Sequence, residues 1–349
     1  MGIHNLNPFL RGKCPQVYRE CHLSEFQFQK GAIDISLYIF KYMTIYGKEG
    51  WLSAIINLVS CLRRNNIHAC FIYDTSAPKE KLEERKERRE KRDKLDQKIS
   101  DLTKSLEKAK LTGEIDDVLL ELDDNTSKKR LLLGNPGKRK VNLNLIEEEI
   151  EKIKKQSVHL TQDDFDTTKE LLEVLGVPFF QAPMEAETTC AELCKTGKVD
   201  FVISDDTDVL AYGAPVFVTK INTSTDTCVV VRYQEILEGL EFTSEQFLDL
   251  CIMCGTDYNK NIFKVGPEKA YKLLKQHKKI EDINLDTSCL NYIRVREIFC
   301  DYEKFKEYIP YCKTPDFNEI SKFIFHNNIK FSLDKLKRDF SPPKMIFEE

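Results

Sequence analysis

The sequence lacks long apolar runs: none is long enough to span a bilayer, so we expect no membrane segment. It also lacks a secretory signal and the dense cysteine spacing of disulfide scaffolds, although it contains 12 cysteines. This pattern predicts an intracellular, reducing location. A basic excess is missing too, because 53 Lys and Arg are outnumbered by 57 Asp and Glu, giving a net charge of −4. Global charge therefore does not indicate a nucleic-acid binder, and any such role requires local clusters of basic residues.

Cysteine patterns of a zinc site are also absent. The single Cys-x-x-Cys, Cys251 to Cys254, lies in an apolar helical pattern without a second pair at zinc-site spacing. We interpret it as a buried helix that carries two unreactive thiols. A myristoyl anchor is excluded, because Leu6 stands where the signal that begins at Gly2 requires Ser or Thr.

The sequence does contain buried strands that end in acidic residues. Apolar runs at 31–33, 69–73 and 199–203 are followed by carboxylates, and helical patterns at 37–46 and 51–62 separate the first two runs. This alternation predicts a parallel α/β sheet, with the ligand site at the carboxyl ends of its strands. Carboxylates that converge there need protons, solvent or a cation. The strand-end acids are Asp34, Asp74, Asp205, Asp206 and Asp208.

Two further acids open a later helix, after a short predicted strand at 177–180. Glu185 and Glu187 would lie near the positive N-terminus of that helix, with Pro183 close to its first turn. Compensation of the helix dipole explains a single Glu, but residues two apart do not share a helix face. We therefore group both glutamates with the strand-end acids. A hairpin at 216–219 and 228–233 follows, and the rest of the chain is predicted to be helical to its end.

A polar insertion follows Asp74. The segment 79–94 holds nine Lys or Arg against six Asp or Glu, a composition that is usual for a solvated helix face. A coiled-coil seam with 4-3-4-3 spacing then runs from Leu95 to Ala109, and a second seam spans Ile146, Ile150 and Ile153. We predict a helical hairpin that is zipped at its far end and charged near the sheet. Such a strut adds nothing to the core, so we expect it to bind a ligand.

Basic residues also cluster in the C-terminal third. The segment 260–279 carries seven Lys against one Glu, and Gly266-Pro267 begins a helix within it. Free backbone N–H groups and positive potential at such a helix start favour phosphate. An ordinary capped surface helix has a similar sequence, so both interpretations stay open.

Taken together, the motifs resemble the flap endonucleases, within the XPG superfamily of structure-specific 5′ nucleases. The resemblance extends from Met1 to about residue 340. It rests on seven short motifs in order: Met1-Gly2-Ile3, Ala32-Ile33-Asp34, Ile72-Tyr73-Asp74, Ala182-Pro183-Met184-Glu185-Ala186-Glu187, Asp206-Thr207-Asp208, Gly255-Thr256-Asp257-Tyr258 and Val265-Gly266-Pro267. Three departures accompany it, namely Asn5 and Lys264 in place of usual glycines and a segment 95–144 that is longer than the family's arch.

The resemblance implies an α/β fold with a PIN-like, mostly parallel sheet flanked by helices. A nuclease core would comprise residues 1–78 and 160–240, and residues 79–159 would form a helical arch. A C-terminal helical region at 241–340 would contain a helix-two-turn-helix element that binds duplex DNA. Residues 341–349 form a short tail without an evident sliding-clamp motif, so the tail does not support a clamp interaction.

The resemblance further implies a metal-dependent 5′ flap endonuclease, with 5′-3′ exonuclease activity, that acts as a monomer on branched DNA. Its metal ligands would be Asp34, Asp74, Glu185, Glu187, Asp206, Asp208 and Asp257, with Asp205 in a supporting role. Lys81 and Arg88 would be catalytic, and Phe40 would stack on a base near the scissile phosphate. Further DNA contacts and a potassium site would involve Gly2, Lys264, Gly266, Lys269 and Lys272.

The residue chemistry agrees with this assignment. A set of hard oxygen ligands suits two Mg²⁺ ions, with Mn²⁺ as a substitute, better than zinc. Two ions about 4 Å apart activate water and neutralise the leaving oxygen. Two alternatives stay open: a related nuclease for gaps, double-strand ends, bubbles or four-way junctions, and a catalytically silent DNA-binding scaffold. All seven acidic positions are filled, which argues against the scaffold.

Overall fold

A central sheet of seven strands organises the protein, whose structure, a computed structural model, describes residues 2–122 and 142–341. The strands are β1 Arg19–His22, β2 Lys30–Asp34, β3 His68–Tyr73, β4 Phe179–Gln181, β5 Phe201–Ile203, β6 Val216–Asn222 and β7 Thr227–Arg232. Their order in the sheet is β1-β7-β6-β5-β2-β3-β4, and the five strands from β6 to β4 are parallel. Only β7 runs antiparallel to its neighbours β6 and β1. The predicted mostly parallel α/β sheet is confirmed.

Both faces of the central strands are apolar, and helices cover the sheet on both sides and bury them. Along β2, Ala32 belongs to one apolar core and Ile33 to the other, as the two-residue alternation of strands requires. The α-helices of the body are Leu6–Lys13, Ile35–Arg64, Gln162–Val174, Ala186–Lys195, Asp208–Ala211, Tyr233–Leu240, Ser244–Cys254, Pro267–His277, Tyr292–Cys300, Phe317–His326 and Leu333–Asp339. In the part of the chain that the structure describes, no helix is long and apolar enough to cross a membrane.

The predicted helical hairpin is present above the sheet. A short 3-10 turn at Lys79–Lys81 leads into the helix Leu82–Thr112, which we call the arch helix, and Leu143–Lys154 returns antiparallel to it. A separate apolar cluster joins the two helices at their far end and includes Leu102, Leu106, Ile146 and Ile150. The near half of the arch helix remains polar, as predicted. Much of the long insertion, residues 123–141, lies outside the described residues.

The segment Ile35–Arg64 is divided at Gly47, where φ is 70° and the backbone is not helical, so its two parts correspond to the helices expected at 37–46 and 51–62. Other elements differ from the sequence predictions. The helix expected to start near Pro183 begins only at Ala186, so Glu185 is its N-cap residue. The C-terminal region is not helical throughout, because residues 301–316 form neither helix nor strand. The edge strand β1 was missed, since its four polar-rich residues carry no apolar alternation and only pairing with β7 makes it a strand.

Candidate metal centre

The carboxyl ends of neighbouring parallel strands bring acidic residues to one edge of the sheet. Asp34 ends β2, and Asp74 directly follows β3, which is paired with it. On the other side of β2, β5 is followed by Asp206 and Asp208. The segment after the edge strand β4 adds Glu185 and Glu187. The strands pair in a register that aligns Ile33 with Ile203 and Asp34 with Ile72. This register brings acids that are distant in sequence together in one cluster.

Three of these acids are close enough to share a metal ion. One carboxylate oxygen each from Glu187, Asp206 and Asp208 lies within 4.8 Å of the other two. Asp208 has no solvent exposure, and neither of its carboxylate oxygens has a hydrogen-bond partner among the described residues. A buried carboxylate without a donor is costly unless a proton or a cation compensates it. The triad therefore fits a hard divalent cation, for which oxygen ligands are the usual donors.

Burial and mutual repulsion raise the pKa values of the acids in this cluster. Desolvation is the main cause for Asp34, Glu187, Asp206 and Asp208, and it disfavours their charged forms. The charge of Asp74 raises the pKa of Asp34 further, and those of Asp206 and Asp208 do the same for Glu187. Without a cation the site therefore retains protons that these carboxyl groups would release in the unfolded chain.

This proton retention predicts a pH dependence of stability. Each of these acids has a folded-state pKa above its unfolded value, so its contribution is present at low pH and is lost as pH rises. We expect the melting temperature in EDTA to fall between about pH 5 and about pH 8, and the increase caused by Mg²⁺ to grow over the same range. Scanning fluorimetry with and without Mg²⁺ measures both. Comparing the two series at each pH cancels other titrating groups, and a pH-independent Mg²⁺ effect would contradict the prediction.

Lys81 and Arg88 approach the same acids from the arch side. The Lys81 ammonium lies 2.7 Å from a Glu185 oxygen and 3.2 Å from an Asp257 oxygen, and Arg88 lies 3.2 Å from Asp257. Burial opposes the charge of Lys81, but Glu187, Glu185 and Asp257 together raise its pKa, so the ammonium stays charged. Lys81 is the N-cap residue of the arch helix and Arg88 lies on that helix, and both cations meet at Asp257.

These groups surround a cleft of about 390 Å³ between the sheet edge and the arch helix. Phe40 is half-buried in its wall, where its ring is accessible to a bound molecule. Lys91 and Arg92 also line the cleft, and the buried Nε of Arg92 has no hydrogen-bond partner among the described residues. Sequence reasoning missed both, although they fall three and four residues beyond Arg88 and therefore on its side of the helix.

Two hydrogen-bonded supports were also missed. The Tyr258 hydroxyl donates to Glu185 at 2.6 Å and lies 2.7 Å from the Tyr212 hydroxyl, so buried phenols hold this carboxylate in place.

The Asp205 carboxylate points away from the cluster: it accepts from Lys41 at 2.5 Å and from Thr219 at 2.8 Å. Burial opposes its ionisation, but these donors lower the pKa of Asp205 overall. The geometry thus supports a structural role for Asp205, as the sequence suggested.

Gly2 lies against the acidic wall. A Cβ added there would be 2.0 Å from Asp206 Oδ1 and 2.9 Å from the Thr207 nitrogen, and φ is 90°, a value that L side chains rarely adopt. The sequence assigned Gly2 to DNA binding, and the structure adds a steric reason for glycine at this position.

Replacing Gly2 by alanine should therefore disturb Asp206. We expect the Mg²⁺ concentration that gives half of the metal-induced rise in melting temperature to increase about tenfold or more, since displaced metal ligands weaken binding on that scale. Gly12→Ala is the matched control, because nothing lies within 4 Å of a Cβ there and Gly12 sits in the helix Leu6–Lys13. The control should be neutral or slightly stabilising. Equal metal dependence of the two variants would contradict the steric argument.

The remaining predicted residues lie away from the acids, around the start of the helix Pro267–His277. Gly266 is its N-cap residue, and Lys264 precedes it with φ of 60°. Lys264, Lys269 and Lys272 are exposed and have no acidic partner in the part of the chain that the structure describes. None of these residues lines the cleft, so they form a separate basic surface.

The site has counterparts in known proteins. Residues 1–95 match the model of the XPG N-terminal domain, and residues 176–257 match that of the XPG I-region. The chain is 35% identical over 325 residues to the "Probable RAD2-like endonuclease 076L" of Invertebrate iridescent virus 3, covering 86% of this chain and 85% of that protein. It is 30% identical over 326 residues to "Flap endonuclease 1" of Drosophila mojavensis, covering 87% and 74%.

A solved structure shows the same fold at lower identity. The catalytic core of Rad2 in complex with DNA substrate superposes with a TM-score of 0.69 at 17% identity, covering 97% of this chain and 98% of that one. The relatives above carry the family assignment, because they match at 30% identity or more over most of their length. The chain therefore belongs to the flap endonuclease family of the XPG superfamily.

Proposed function

We propose that the protein is a structure-specific 5′ nuclease that hydrolyses phosphodiester bonds at flaps in branched DNA, with 5′-3′ exonuclease activity. The single observation that carries this proposal is the triad Glu187, Asp206 and Asp208, in which the buried Asp208 carboxylate has no hydrogen-bond partner among the described residues. Two of its members, Glu187 and Asp206, line the same cleft as Lys81. The family supports a DNA-cleaving hydrolase, and the relatives' names supply the flap substrate.

The proposed cofactor is Mg²⁺, as two ions held by Asp34, Asp74, Glu185, Glu187, Asp206, Asp208 and Asp257, with Mn²⁺ as a substitute. The donor set supports this choice, because it contains only carboxylates and no thiol or imidazole. When bound, such ions lower the pKa of water and neutralise the leaving oxygen. The protein's own contribution is to hold the carboxylates in place through backbone donors such as Ala186 N–H to Asp74 at 2.8 Å.

Lys81, in the turn before the arch helix, and Arg88, on that helix, would act on the phosphate. Lys81 and Arg88 are paired with Glu185 and Asp257 in the DNA-free protein, so an entering phosphodiester would compete for the same donors. Bound to phosphate oxygens, they would stabilise the charge that develops during hydrolysis. Phe40, in the wall of the cleft, would offer its ring to the terminal base.

The domain boundaries, a potassium site at the helix-two-turn-helix element, a monomeric state and an intracellular location in the nucleus or another site of DNA replication remain predictions. The tail beyond residue 341 lies outside the described residues, and a clamp interaction through it stays unsupported.

Cleavage assays on a matched panel of flap, gapped, bubble and four-way-junction DNAs test the proposal, in EDTA, Mg²⁺ or Mn²⁺. We expect metal-dependent cleavage with a preference for the flap. A preference for junctions over flaps would favour the related-nuclease alternative, and tight DNA binding without cleavage in any metal would favour a silent scaffold.

A further inference from the structure

An exposed phenyl ring stands at the tip of the loop that precedes the helix Pro267–His277. The side chain of Phe263 is 84% exposed. The chain is held in place on both sides of it, because Ile262 is partly buried against the core and Val265 is buried. The ring therefore projects from a fixed point and covers no core surface of its own. Isolated exposed apolar residues are common, so the surroundings of this one decide its meaning.

The loop presents the ring rigidly. Val265 N–H donates to the Ile262 carbonyl at 2.9 Å, which closes a tight turn with Phe263 and Lys264 at its two central positions. Lys264 has φ of 60°, the left-handed conformation that turns with this geometry demand at the third position. Asn261 Nδ2 donates to the Val265 carbonyl at 3.3 Å and braces the turn. A preorganised tip loses little conformational freedom on binding.

The surroundings of the ring are cationic. The Lys264 ammonium lies 5.1 Å from the ring centroid, and Lys269 and Lys272 extend the positive surface along the adjoining helix. In the part of the chain that the structure describes, these three lysines have no carboxylate partner, so the surface is charged and available. An exposed apolar ring with ammonium groups beside it is complementary to a nucleic-acid groove, where sugars and base edges lie between phosphates.

We propose that Phe263 is a DNA-contact residue that enters a groove of the duplex beside the lysines of this surface, which hold the phosphates. The inference rests on the proposed function and deepens it, because phosphate contacts alone position the protein without sensing the shape of the duplex. Apolar side chains that press between base steps are favoured where the duplex deforms readily. The ring thus makes binding depend on the presence and flexibility of double-stranded DNA.

Fluorescence anisotropy with a labelled duplex and the corresponding single strand tests this role, in EDTA to prevent cleavage. Phe263→Ala should weaken duplex binding about tenfold, the scale of burying part of an aromatic ring, and leave single-strand binding unchanged. The salt dependence of duplex binding by Phe263→Ala should equal that of the wild type. In contrast, Lys264→Met should reduce the magnitude of the negative slope of log affinity against log salt by about one. The matched control is Phe325→Ala, an equally isolated ring that is 89% exposed on the helix Phe317–His326.

The outcomes separate the two proposals. Duplex affinity of Phe263→Ala within twofold of wild type, or an equal loss on single strands, would overturn the role of the ring while wild-type cleavage remained intact. A lowered melting temperature for Phe263→Ala would make the residue structural and also overturn it. If the wild-type protein neither binds duplex nor cleaves the DNA panel, the proposed function itself fails. If Phe263→Ala lost binding to phosphatidylserine vesicles while its duplex affinity was unchanged, the loop would contact a membrane surface and the DNA-contact role would be wrong.

Discussion

Replacing Asp208 with asparagine is expected to lower single-turnover cleavage about a thousandfold, because bound metal ions contribute several kcal/mol to stabilising the transition state. The amide keeps the size of the side chain but cannot supply an anionic ligand. Binding of flap DNA in EDTA should change little, since Asp208 is fully buried and lies behind the surface of the cleft.

The same substitution should not harm the metal-free protein. Asp208 lies among like charges, and its pKa is raised by burial and by Asp206, so a neutral isostere removes repulsion. We expect the melting temperature in EDTA to stay equal or rise, and the Mg²⁺-induced increase to shrink. Scanning fluorimetry with a Mg²⁺ titration measures both effects, separately from activity.

Asp205→Asn is the matched control, three positions away and acidic in the same way. Its carboxylate is paired with Lys41 and hydrogen-bonded to Thr219, and it takes no part in the triad. Loss of that partly exposed ion pair should cost about 1 kcal/mol of stability and leave cleavage within about tenfold of wild type. If both variants lost activity equally, or neither did, the assignment of the metal ligands would be wrong.

Lys81→Met is expected to reduce the cleavage rate constant by two to three orders of magnitude, roughly the loss seen when a preorganised electrostatic group is removed. The methionine retains the aliphatic length of the side chain but not its charge. Single-turnover rates at saturating enzyme isolate this effect from DNA affinity, which should fall much less.

The geometry adds a stability effect that the sequence did not suggest. In the structure the Lys81 ammonium neutralises Glu185 and Asp257 at a largely buried position. Removing one member of such a buried charge set costs about 3 kcal/mol or more. We therefore expect a lower melting temperature in EDTA, and Mg²⁺ should restore most of the loss by replacing the missing positive charge.

Lys86→Met provides the control, five residues further along the arch. The side chain of Lys86 is 77% exposed and, among the described residues, forms an ion pair only with Glu90, at 4.0 Å. This variant removes the same charge from a nearby exposed position, so both rate and melting temperature should remain near those of wild type. A Lys81→Met protein that was destabilised equally with and without Mg²⁺, while its rate was unchanged, would mean that Lys81 has only a structural role.

The pattern of apolar runs that end in acids was sufficient to predict the sheet and most of the site. Hydrophobic strands in α/β order leave few arrangements, and the carboxyl ends of parallel neighbours must meet at one edge. The arch was predictable for a similar reason, because its seam residues Leu102, Leu106, Ile146 and Ile150 repeat at helical spacing. Local periodicity was thus sufficient to predict the fold class, the hairpin and the identity of the clustered carboxylates.

Other features depend on contacts between segments far apart in sequence. Asp205 and Asp206 are adjacent acids, yet pairing with Lys41 turns one outward and convergence with Glu187 turns the other into the cluster. Strand β1 exists because β7 offers it hydrogen-bond partners, and Tyr258 supports Glu185 across 73 positions. No local pattern encodes such pairings.

The sequence by itself determined which residue types are available: strand-end carboxylates, a charged arch and a basic C-terminal element. Only the tertiary structure decided which carboxylates lack hydrogen-bond partners, which cations face them, that Gly2 packs against Asp206, and that Phe263 is exposed at the tip of a turn. The physical reason is that burial and electrostatic energy depend on three-dimensional distance, which the register of the sheet and the packing of the arch set.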